Sequence, residues 1–432
     1  MSTQARPRWF RFAWFLGKPP PLSERQWRVL GLVSAVSFFE QYDLYLFSLN
    51  LSQIQNSLGI AEGDLGWLGS TVRAGALLAF FVALVADRVG RRRVLLATVL
   101  AYTLLTAATA LAPNTETFVA LQFLARVFAV AETLLATVVI VEEFPDQHRG
   151  WGVGAFGAIQ ACGAGTAAML YGFVDYLPFG WRALYAVGVI PMLLIARWRV
   201  LMPETERFTA LTLAPASARL QSTLHQLVRL CTETGGRFVS IALVAFLFSF
   251  GLGGVGFFQV KYLLDVQQWG PPTVSMLTVV GGALAILANP LSGRWSDRFG
   301  RRRLVACFLL LTAIAGSAFY SVNGPIVGVL WIVYLFALFG ADTVLTTYAS
   351  ESFPTSLRST ASGARSVIGT LGSIAGLASV SWLYPLLGSN WLALAYMPWL
   401  VAAAGLIALV TFRETAGQSL EQIAPEHAGD RG

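Results

Sequence analysis

The sequence predicts an all-helical integral membrane protein with twelve transmembrane helices arranged as two pseudo-symmetric six-helix halves. Hydrophobic residues make up 56% of the chain and charged residues only 12%, whereas a soluble domain carries about 25% charged residues. Residues 87–93 (Asp-Arg-Val-Gly-Arg-Arg-Arg) return as residues 297–303 (Asp-Arg-Phe-Gly-Arg-Arg-Arg). Charge this dense cannot lie in hydrocarbon, so both copies are predicted to be short loops in water between apolar spans.

Twelve apolar runs are long enough to be bilayer-crossing helices, which need about 20 mostly apolar residues. In chain order, the predicted spans cover residues 29–49, 67–86, 94–112, 118–142, 151–175, 181–201, 238–262, 272–296, 303–323, 326–350, 361–386 and 391–412. Spans eight and eleven contain Pro or Gly, which membrane helices tolerate when neighbouring groups satisfy the freed backbone. Because the number of spans is even, both termini lie on one side.

The basic residues predict which side that is. If both termini are cytoplasmic, all but four of the 30 Lys and Arg residues lie in tails, cytoplasmic loops or cytoplasmic helix ends, as the positive-inside rule requires. The exceptions are Arg73, Arg126, Arg182 and Lys261. We therefore expect a multi-pass protein of the inner or plasma membrane. The net charge of +7 follows from these loops and does not indicate a nucleic-acid partner.

A second repeated motif divides the chain. The segment Glu142-Glu143-Phe144-Pro145 with Arg149 recurs as Glu351-Ser352-Phe353-Pro354 with Arg358. Two motifs at nearly one offset predict a duplicated half, which is typical of transporters built from repeats. We predict an N-terminal tail (1–28), a first bundle (29–201), a cytoplasmic linker with a short amphipathic helix (202–237), a second bundle (238–412) and a C-terminal tail (413–432).

The repeated loop resembles the hallmark of the major facilitator superfamily, Gly-x-x-x-Asp-Arg/Lys-x-Gly-Arg-Arg. The second copy matches fully from Gly293, and the first has Ala83 in place of the glycine. Segments 203–205 (Pro-Glu-Thr) and 414–421 (Glu-Thr-Ala-Gly-Gln-Ser-Leu-Glu) are similar to those of the sugar-porter-like and aromatic-acid:proton symporter branches. The resemblance implies the major facilitator fold and a secondary active transporter that works by alternating access.

The repeated acids and bases predict a cytoplasmic gate. Charge-assisted pairs at the membrane edge could hold that side closed and part when it opens; the alternative is that the arginines only obey the positive-inside rule. The gate residues are Asp87, Arg88, Gly90, Arg91, Arg92, Glu142, Glu143 and Arg149, with Asp297, Arg298, Gly300, Arg301, Arg302, Glu351 and Arg358 in the second half.

Span one carries two carboxylates, Glu40 and Asp43, whose spacing of three places them on one helix face. Ionisable residues inside membrane spans are costly, which makes them candidates for function. The segment resembles the Asp-Gly-x-Asp motif of the aromatic-acid symporters, whose acids serve transport. Glu40 replaces its first Asp and Gln41 its Gly, so the charge pattern is kept and the close packing of glycine is not.

Two arginines are predicted to meet these acids. At about 1.5 Å per residue, Asp43 lies about 20 Å above the cytoplasmic end of its span, and Arg73 and Arg126 lie at roughly 18–21 Å. An arginine keeps its charge, so the group that titrates is the carboxyl, and its protonation would free an arginine for an anionic substrate. Arg126 opposite Asp43 also resembles the acid–arginine pair of proton-linked sugar porters. The alternative is a permanent structural ion pair.

Three further charges have open interpretations. Glu132 and Asp342 lie near equivalent positions of the two halves and could contact substrate, close the inner gate or face a watery vestibule. Lys261, followed by Asp265, lies at the outer end of span seven and could be an outer gate or a snorkelling lysine.

These features predict symport of protons with a small organic anion, an aromatic or simple carboxylate, by a monomer in a lipid bilayer. The alternatives are a sugar or neutral-solute porter, a drug exporter and a sensor on the same scaffold. Span seven has only Gln259 where sugar porters have paired glutamines, and span five lacks the Gly-Pro motif of drug antiporters. No metal-ligand set, nucleophile motif or ATP site is present, so we expect neither an enzyme nor a cofactor. The histidines (His148, His225, His427) lie outside the spans, which excludes a histidine relay.

Overall fold

The computed structural model describes residues 7, 9–10, 16, 19–145, 147–199, 216–418 and 420–423, and over these residues the chain forms helices and no strand. The predicted all-helical class is confirmed. Eleven helices in this part of the chain are long and apolar enough to cross a membrane. The first helix is not among them, although its 26 residues span about 39 Å, because its acidic residues lower its hydropathy.

The chain forms two compact units, and unit 1 comprises Met1–Gly59 and Thr71–Ala216. Its most extensive helix packing is between α1 and α6, and α4 packs against both α5 and α7. The first residues of α3, up to Ser70, belong to unit 2. The helices of this part of the chain are α1 (Glu24–Leu49), α2 (Leu51–Leu58), α3 (Leu65–Val89), α4 (Arg91–Ala110), α5 (Thr115–Glu143), α6 (Arg149–Tyr171) and α7 (Trp181–Arg199).

Local sequence signals set several helix starts. A capping box starts α1: the Ser23 hydroxyl accepts from the Gln26 backbone N–H at 3.2 Å, and the Gln26 side chain accepts from the Ser23 N–H at 2.9 Å. Gly90 precedes α4 with a φ of 105°, a conformation that favours glycine. Gly300 occupies the same place in the second loop with a φ of 93°, which explains why both copies of the loop keep a glycine there.

A glycine lets α1 and α6 approach backbone to backbone. A Cβ added at Gly163 of α6 would collide with the carbonyl oxygen of Phe38 on α1 and would lie 2.8 Å from its carbonyl carbon. Phe38 comes two residues before Glu40, so this contact fixes the part of α1 that carries the acids.

Unit 2 comprises Ile60–Ser70 and Ser217–Gly432. In it α12 packs against α13 and α16, and α13 also packs against α10, α11 and α14. The helices are α8 (Ala216–Leu252), α9 (Val255–Asp265), α10 (Pro271–Ile286), α11 (Ala288–Phe299), α12 (Arg301–Phe319), α13 (Ile326–Glu351), α14 (Thr355–Leu387), α15 (Asn390–Tyr396), α16 (Trp399–Thr411) and the short α17 (Leu420–Ile423).

The same close contact recurs in unit 2. A Cβ at Gly376 of α14 would collide with the carbonyl oxygen of Phe250 on α8 and would lie 2.8 Å from its carbonyl carbon. The glycines are 213 residues apart and the phenylalanines 212, close to the spacing of the repeated loops. The internal repeat therefore extends from the loop motifs to the packing of helices.

The structure also shows where the predicted segments differ from the helices. Span eleven, predicted to begin at residue 361, begins at Thr355, because the polar residues of its first turns lower the hydropathy without preventing a helix. Part of the predicted linker (202–237) lies outside the described residues. The rest is helical within α8, which is kinked at Thr234. Residues 424–432 of the predicted C-terminal tail and most of residues 1–18 also lie outside the described part.

Candidate functional site

Asp43, the predicted proton carrier, is buried on α1 and is hydrogen bonded to Tyr102 of α4. The Tyr102 hydroxyl donates to one carboxyl oxygen of Asp43, whereas the other oxygen is buried and has no hydrogen-bond partner among the described residues. Tyr102 is itself buried, so this bond lies away from bulk water. The Thr106 hydroxyl, one turn further along α4, also interacts with this carboxyl, so Asp43 is surrounded by hydroxyl groups of α4.

Glu40 lies one helical turn before Asp43 and is also buried. The hydroxyl of Thr133, on α5, donates to its carboxylate at 2.9 Å. Arg126, two turns earlier on α5, interacts electrostatically with Glu40 and with Tyr102. The carboxylate that interacts with Arg126 is therefore Glu40, and Tyr102 interacts with both acids.

Arg73 of α3 completes the group of charges. It interacts electrostatically with Arg126, and both side chains are partly buried. A Cβ at Gly75 would meet the Phe123 carbonyl oxygen and lie 3.2 Å from the Arg126 Cβ, so α3 and α5 are in close contact at this level. Unit 1 thus gathers two guanidinium groups and two carboxyl groups, contributed by three helices; the inner-site cluster denotes Glu40, Asp43, Arg73, Tyr102 and Arg126.

Helix α7 forms one wall of this cluster. Tyr42 donates from its hydroxyl to the Leu184 carbonyl of α7 at 2.9 Å, which ties α1 to α7 next to Asp43. A Cβ at Gly188 would lie 3.3 Å from the Asp43 carboxyl oxygen. The absence of a side chain at Gly188 leaves space beside the oxygen of Asp43 that has no hydrogen-bond partner.

The two lower acids have different surroundings. Glu132 is fully buried in unit 1, and its carboxyl lies 2.7 Å from the Thr98 hydroxyl of α4. Asp342, in unit 2, has a side chain that is 61% exposed and lies 3.7 Å from a guanidinium nitrogen of Arg365. The repeat therefore places both acids on equivalent helices, one fully buried beside a threonine and the other largely exposed near an arginine.

The predicted gate residues of unit 1 form ion pairs between helix ends. Arg91, at the start of α4, pairs with Glu142 at the end of α5, and Arg25 of α1 binds Glu143 with two bonds of 2.9 Å. Arg149 donates to the Val141 carbonyl at 2.8 Å. Arg92 is exposed, and the side chains of Asp87 and Arg88 lie outside the described part of the structure.

Unit 2 repeats the first of these pairs. Arg301 binds Glu351 at 2.6 Å and Asp297 at 3.2 Å. Its backbone N–H donates to Glu414 at 2.7 Å, so the C-terminal segment also holds this loop. The other gate residues are Arg302, which donates to the Leu409 carbonyl at 2.6 Å, Arg298, which lies over the Phe299 ring, and Arg358, which is partly buried.

A buried lysine lies at the opposite end of unit 2. Lys261 is only 3% exposed; it pairs with Glu62 at 3.1 Å and with Asp265. Asn390 donates to the Glu62 backbone carbonyl at 2.9 Å. A snorkelling lysine would extend its ammonium group into water, so the burial of Lys261 argues against snorkelling. Its pair with Glu62 holds the segment before α3, and a role as an outer gate stays a prediction.

Four residues with clear roles in these networks had little signal in the sequence. Tyr102 and Thr133 are single hydroxyl groups in apolar runs, and Glu62 lies far from Lys261 along the chain. The sequence placed Arg365 at a cytoplasmic helix end, whereas in the structure it is the eleventh residue of α14. Within the described residues, no group of three or more His, Cys, Asp or Glu side chains could hold a metal ion.

A family model and two bacterial transport proteins match most of this chain. The family model described as Major Facilitator Superfamily matches residues 33–229 and 241–428. A cis,cis-muconate transport protein of Acinetobacter baylyi is 27% identical over 371 residues, covering 84% of this chain and 89% of that protein. A niacin transporter of the same organism is 27% identical, covering 93% of this chain and 97% of that protein.

A solved structure has the same fold. The crystal structure of a D-xylose-proton symporter superposes with a TM-score of 0.72 at 19% identity, covering 89% of this chain and 97% of that chain. The resemblance that the loop motifs indicated is therefore found again in the helices themselves.

Proposed function

Because the chain belongs to the major facilitator superfamily and is a multi-pass membrane transporter, we propose that it carries a small organic anion, an aromatic or simple carboxylate, together with protons. The proposal rests mainly on one observation: two arginines and two acids are gathered among the helices of unit 1, with Tyr102 bonded to Asp43. An acid–arginine pair alone would also suit a proton-linked sugar porter; the second guanidinium group, Arg73 beside Arg126, is what favours an anionic substrate.

The charges of the inner-site cluster give a reason why binding of the anion would be coupled to binding of a proton. Arg73 and Arg126 contribute two positive charges, and ionised Glu40 and Asp43 contribute two negative charges, so the cluster is neutral. An arriving carboxylate would leave one uncompensated negative charge in a site of low dielectric constant, which is costly. One proton taken up by a carboxyl group restores neutrality, so anion and proton bind more strongly together than either binds alone.

Asp43 is the better proton acceptor of the two acids. Glu40 interacts with Arg126 and accepts from Thr133, and both contacts favour its ionised form. The neighbours of Asp43 are the hydroxyls of Tyr102 and Thr106, in place of the guanidinium group that interacts with Glu40, and Asp43 lies beside the space left by Gly188. In the proposed cycle Asp43 takes the proton and the substrate carboxylate binds a guanidinium group.

The names of the relatives support the substrate class. Muconate and niacin are both carboxylates, and the proteins named for them cover most of this chain. The fold of a proton symporter also supports coupled transport.

The loop pairs support a role at the cytoplasmic side. Arg91–Glu142 and Arg301–Glu351 join the same helix ends in each unit. In the proposed cycle these charge-assisted bonds hold each loop in one geometry and rearrange as the transporter alternates. With the basic residues concentrated there, both termini are proposed to lie in the cytoplasm.

Uptake into proteoliposomes tests the function directly. The purified protein, with a lumen one pH unit more alkaline than the bath, is given labelled niacin, cis,cis-muconate or D-xylose. We expect gradient-driven accumulation of a carboxylate and not of xylose. Liposomes without protein measure passive entry of the protonated acids. Accumulation of xylose alone, or carboxylate uptake that ignores the gradient, would contradict the proposal.

Arg126→Lys tests the anion site. A lysine keeps the charge but loses the planar fork that binds a carboxylate with two bonds, so we expect at least about a tenfold lower kcat/KM for the carboxylate. Arg28→Lys is the matched control, because Arg28 is exposed and, within the described residues, pairs with Glu24 of its own helix. Normal kinetics in Arg126→Lys would place the anion elsewhere.

A further inference from the structure

Arg365 lies in the middle of unit 2, at a depth where an arginine requires an explanation. It is ten residues beyond the start of α14, Asp342 is nine residues before the end of α13, and Asn289 is ten residues before the end of α11. These three helix ends lie together, because Arg301 next to α11 binds Glu351 at the end of α13. All three residues are therefore roughly 14–15 Å from one face of the bundle.

These residues form a continuous polar surface. Arg365 donates to the Thr346 hydroxyl at 2.9 Å and lies 3.7 Å from Asp342. Thr343, on the same side of α13, donates to the Asn289 side chain at 2.8 Å. The α13 face denotes Asn289, Asp342, Thr343, Thr346 and Arg365.

The α13 face does not point toward lipid. Val367 and Leu371 of α14 are 52% and 44% exposed, share one side of that helix, and form its apolar surface. Arg365 is two residues from Val367, which places it on the opposite side of the helix. Charged side chains at this depth face protein or a water-filled path and not acyl chains, so the exposed atoms of Asp342 and Thr346 border water.

The ion pair with Asp342 does not explain the arginine. Its 3.7 Å separation and the 61% exposure of the Asp342 side chain describe a solvated contact, and such pairs contribute little to stability. Arg365 also has no counterpart in unit 1, where the equivalent positions, 152–156 by the spacings of the loop and glycine repeats, read Gly-Val-Gly-Ala-Phe. Unit 2 thus carries a guanidinium group of its own, on a different helix from those of unit 1.

We propose that the α13 face is a second anion-binding subsite, with Arg365 and the Thr346 hydroxyl as ligands of a carboxylate and Asp342 as the group that the carboxylate displaces. That the anion is a transported carboxylate rests on the proposed function, whereas the existence of the subsite does not. A guanidinium fork presents parallel N–H donors that match a carboxylate, and the threonine hydroxyl adds a donor once Arg365 turns to the anion.

Charged thiol reagents test the subsite without any transport measurement. In a protein whose native cysteines at 162, 231 and 307 are replaced by serine, Thr346→Cys is modified with anionic sulfonatoethyl and cationic trimethylammonioethyl methanethiosulfonate. The ratio of the anionic to the cationic rate reports the local potential. Removing a unit charge at about 7 Å in water changes each rate about threefold in opposite directions, so Arg365→Gln should lower the ratio about tenfold.

Asp342→Asn supplies the opposite test and should raise the same ratio. A protein that retains only the exposed Cys231 of α8 is the control, because its ratio should not respond to Arg365→Gln. An Arg365→Gln ratio equal to that of the parent, or changes of the same sign in both variants, would overturn the proposal.

Protection identifies the ligand. Niacin at saturating concentration should slow modification of Thr343→Cys, which keeps both proposed ligands, by uncharged methyl methanethiosulfonate severalfold, and Arg365→Gln should abolish this effect. Protection that persists without Arg365 would refute its role as the ligand. If proton coupling through Asp43 were wrong, Asp43→Asn would leave gradient-driven uptake intact, while the rates of thiol modification would still depend on Arg365. Failure of the proposed function is therefore distinguishable from failure of the subsite.

Discussion

Gly163→Ala would insert a methyl group between the backbones of α6 and α1. The new Cβ would overlap the Phe38 carbonyl oxygen and lie 2.8 Å from its carbonyl carbon and 3.1 Å from its Cα. Carbon atoms prefer about 3.5–4.0 Å, so the two helices must separate by roughly 1 Å. The displaced part of α1 carries Glu40 and Asp43.

The cost can be separated from the helix propensity of alanine. Gly165, on the same helix, has open space around its Cβ position, so Gly165→Ala gains about 1 kcal/mol of propensity without a clash. Gly163→Ala has the same gain and an overpacking cost of about 1–3 kcal/mol. For a unit of 150–250 residues that difference corresponds to about 2–12 °C in Tm.

Thermal unfolding of the purified variants in detergent measures this difference. We expect Gly163→Ala to melt below Gly165→Ala and to lose uptake because the acids move away from Tyr102 and Thr133. In unit 2, Gly376→Ala should melt below Gly363→Ala, since Gly363 is also in open space. A Gly163→Ala protein that melts at or above its control would refute the reasoning about backbone contact.

Lys261→Met leaves Glu62 and Asp265 without their shared cation. Breaking a fully buried pair lowers the free energy of unfolding by roughly 3–5 kcal/mol. Because both carboxylates are about one third exposed, we expect a loss of stability at or below the lower end of that range. An unchanged Tm would contradict this. Arg301→Gln removes the bonds to Glu351 and Asp297 at the membrane edge, so transport should slow while KM stays the same. A raised KM with an unchanged maximal rate would argue against a gate.

The spans and the repeat were predictable because each has a strong one-dimensional signal. Twenty apolar residues in a row define a span, and the charge of the loop at 87–93 is visible twice. Glu40 and Asp43 were identifiable because an acid in a span is rare. Depth counted along the helices also predicted that Arg73 and Arg126 reach the level of Asp43.

Side-chain partners were not predictable in the same way. The sequence suggested that Arg126 faces Asp43, whereas its carboxylate neighbour is Glu40 and Asp43 binds Tyr102. Which of two acids one turn apart meets an arginine depends on helix rotation, and hydropathy does not encode rotation. Arg365 was missed for another reason. The polar first turns of α14 placed the predicted start of the span at residue 361, whereas the helix begins at Thr355, so Arg365 lies further from the helix end than the sequence indicated.

Gradient-driven accumulation by Asp43→Asn is the most direct measurement of the coupling claim. One pH unit supplies 1.36 kcal/mol per proton, so electroneutral one-to-one symport should concentrate a carboxylate about tenfold in the wild type. The asparagine oxygen can still accept from Tyr102 but cannot be protonated. We expect an accumulation ratio near one with counterflow exchange intact, and full accumulation in the exposed-loop control Asp175→Asn. Tenfold accumulation by Asp43→Asn would contradict proton coupling through this residue.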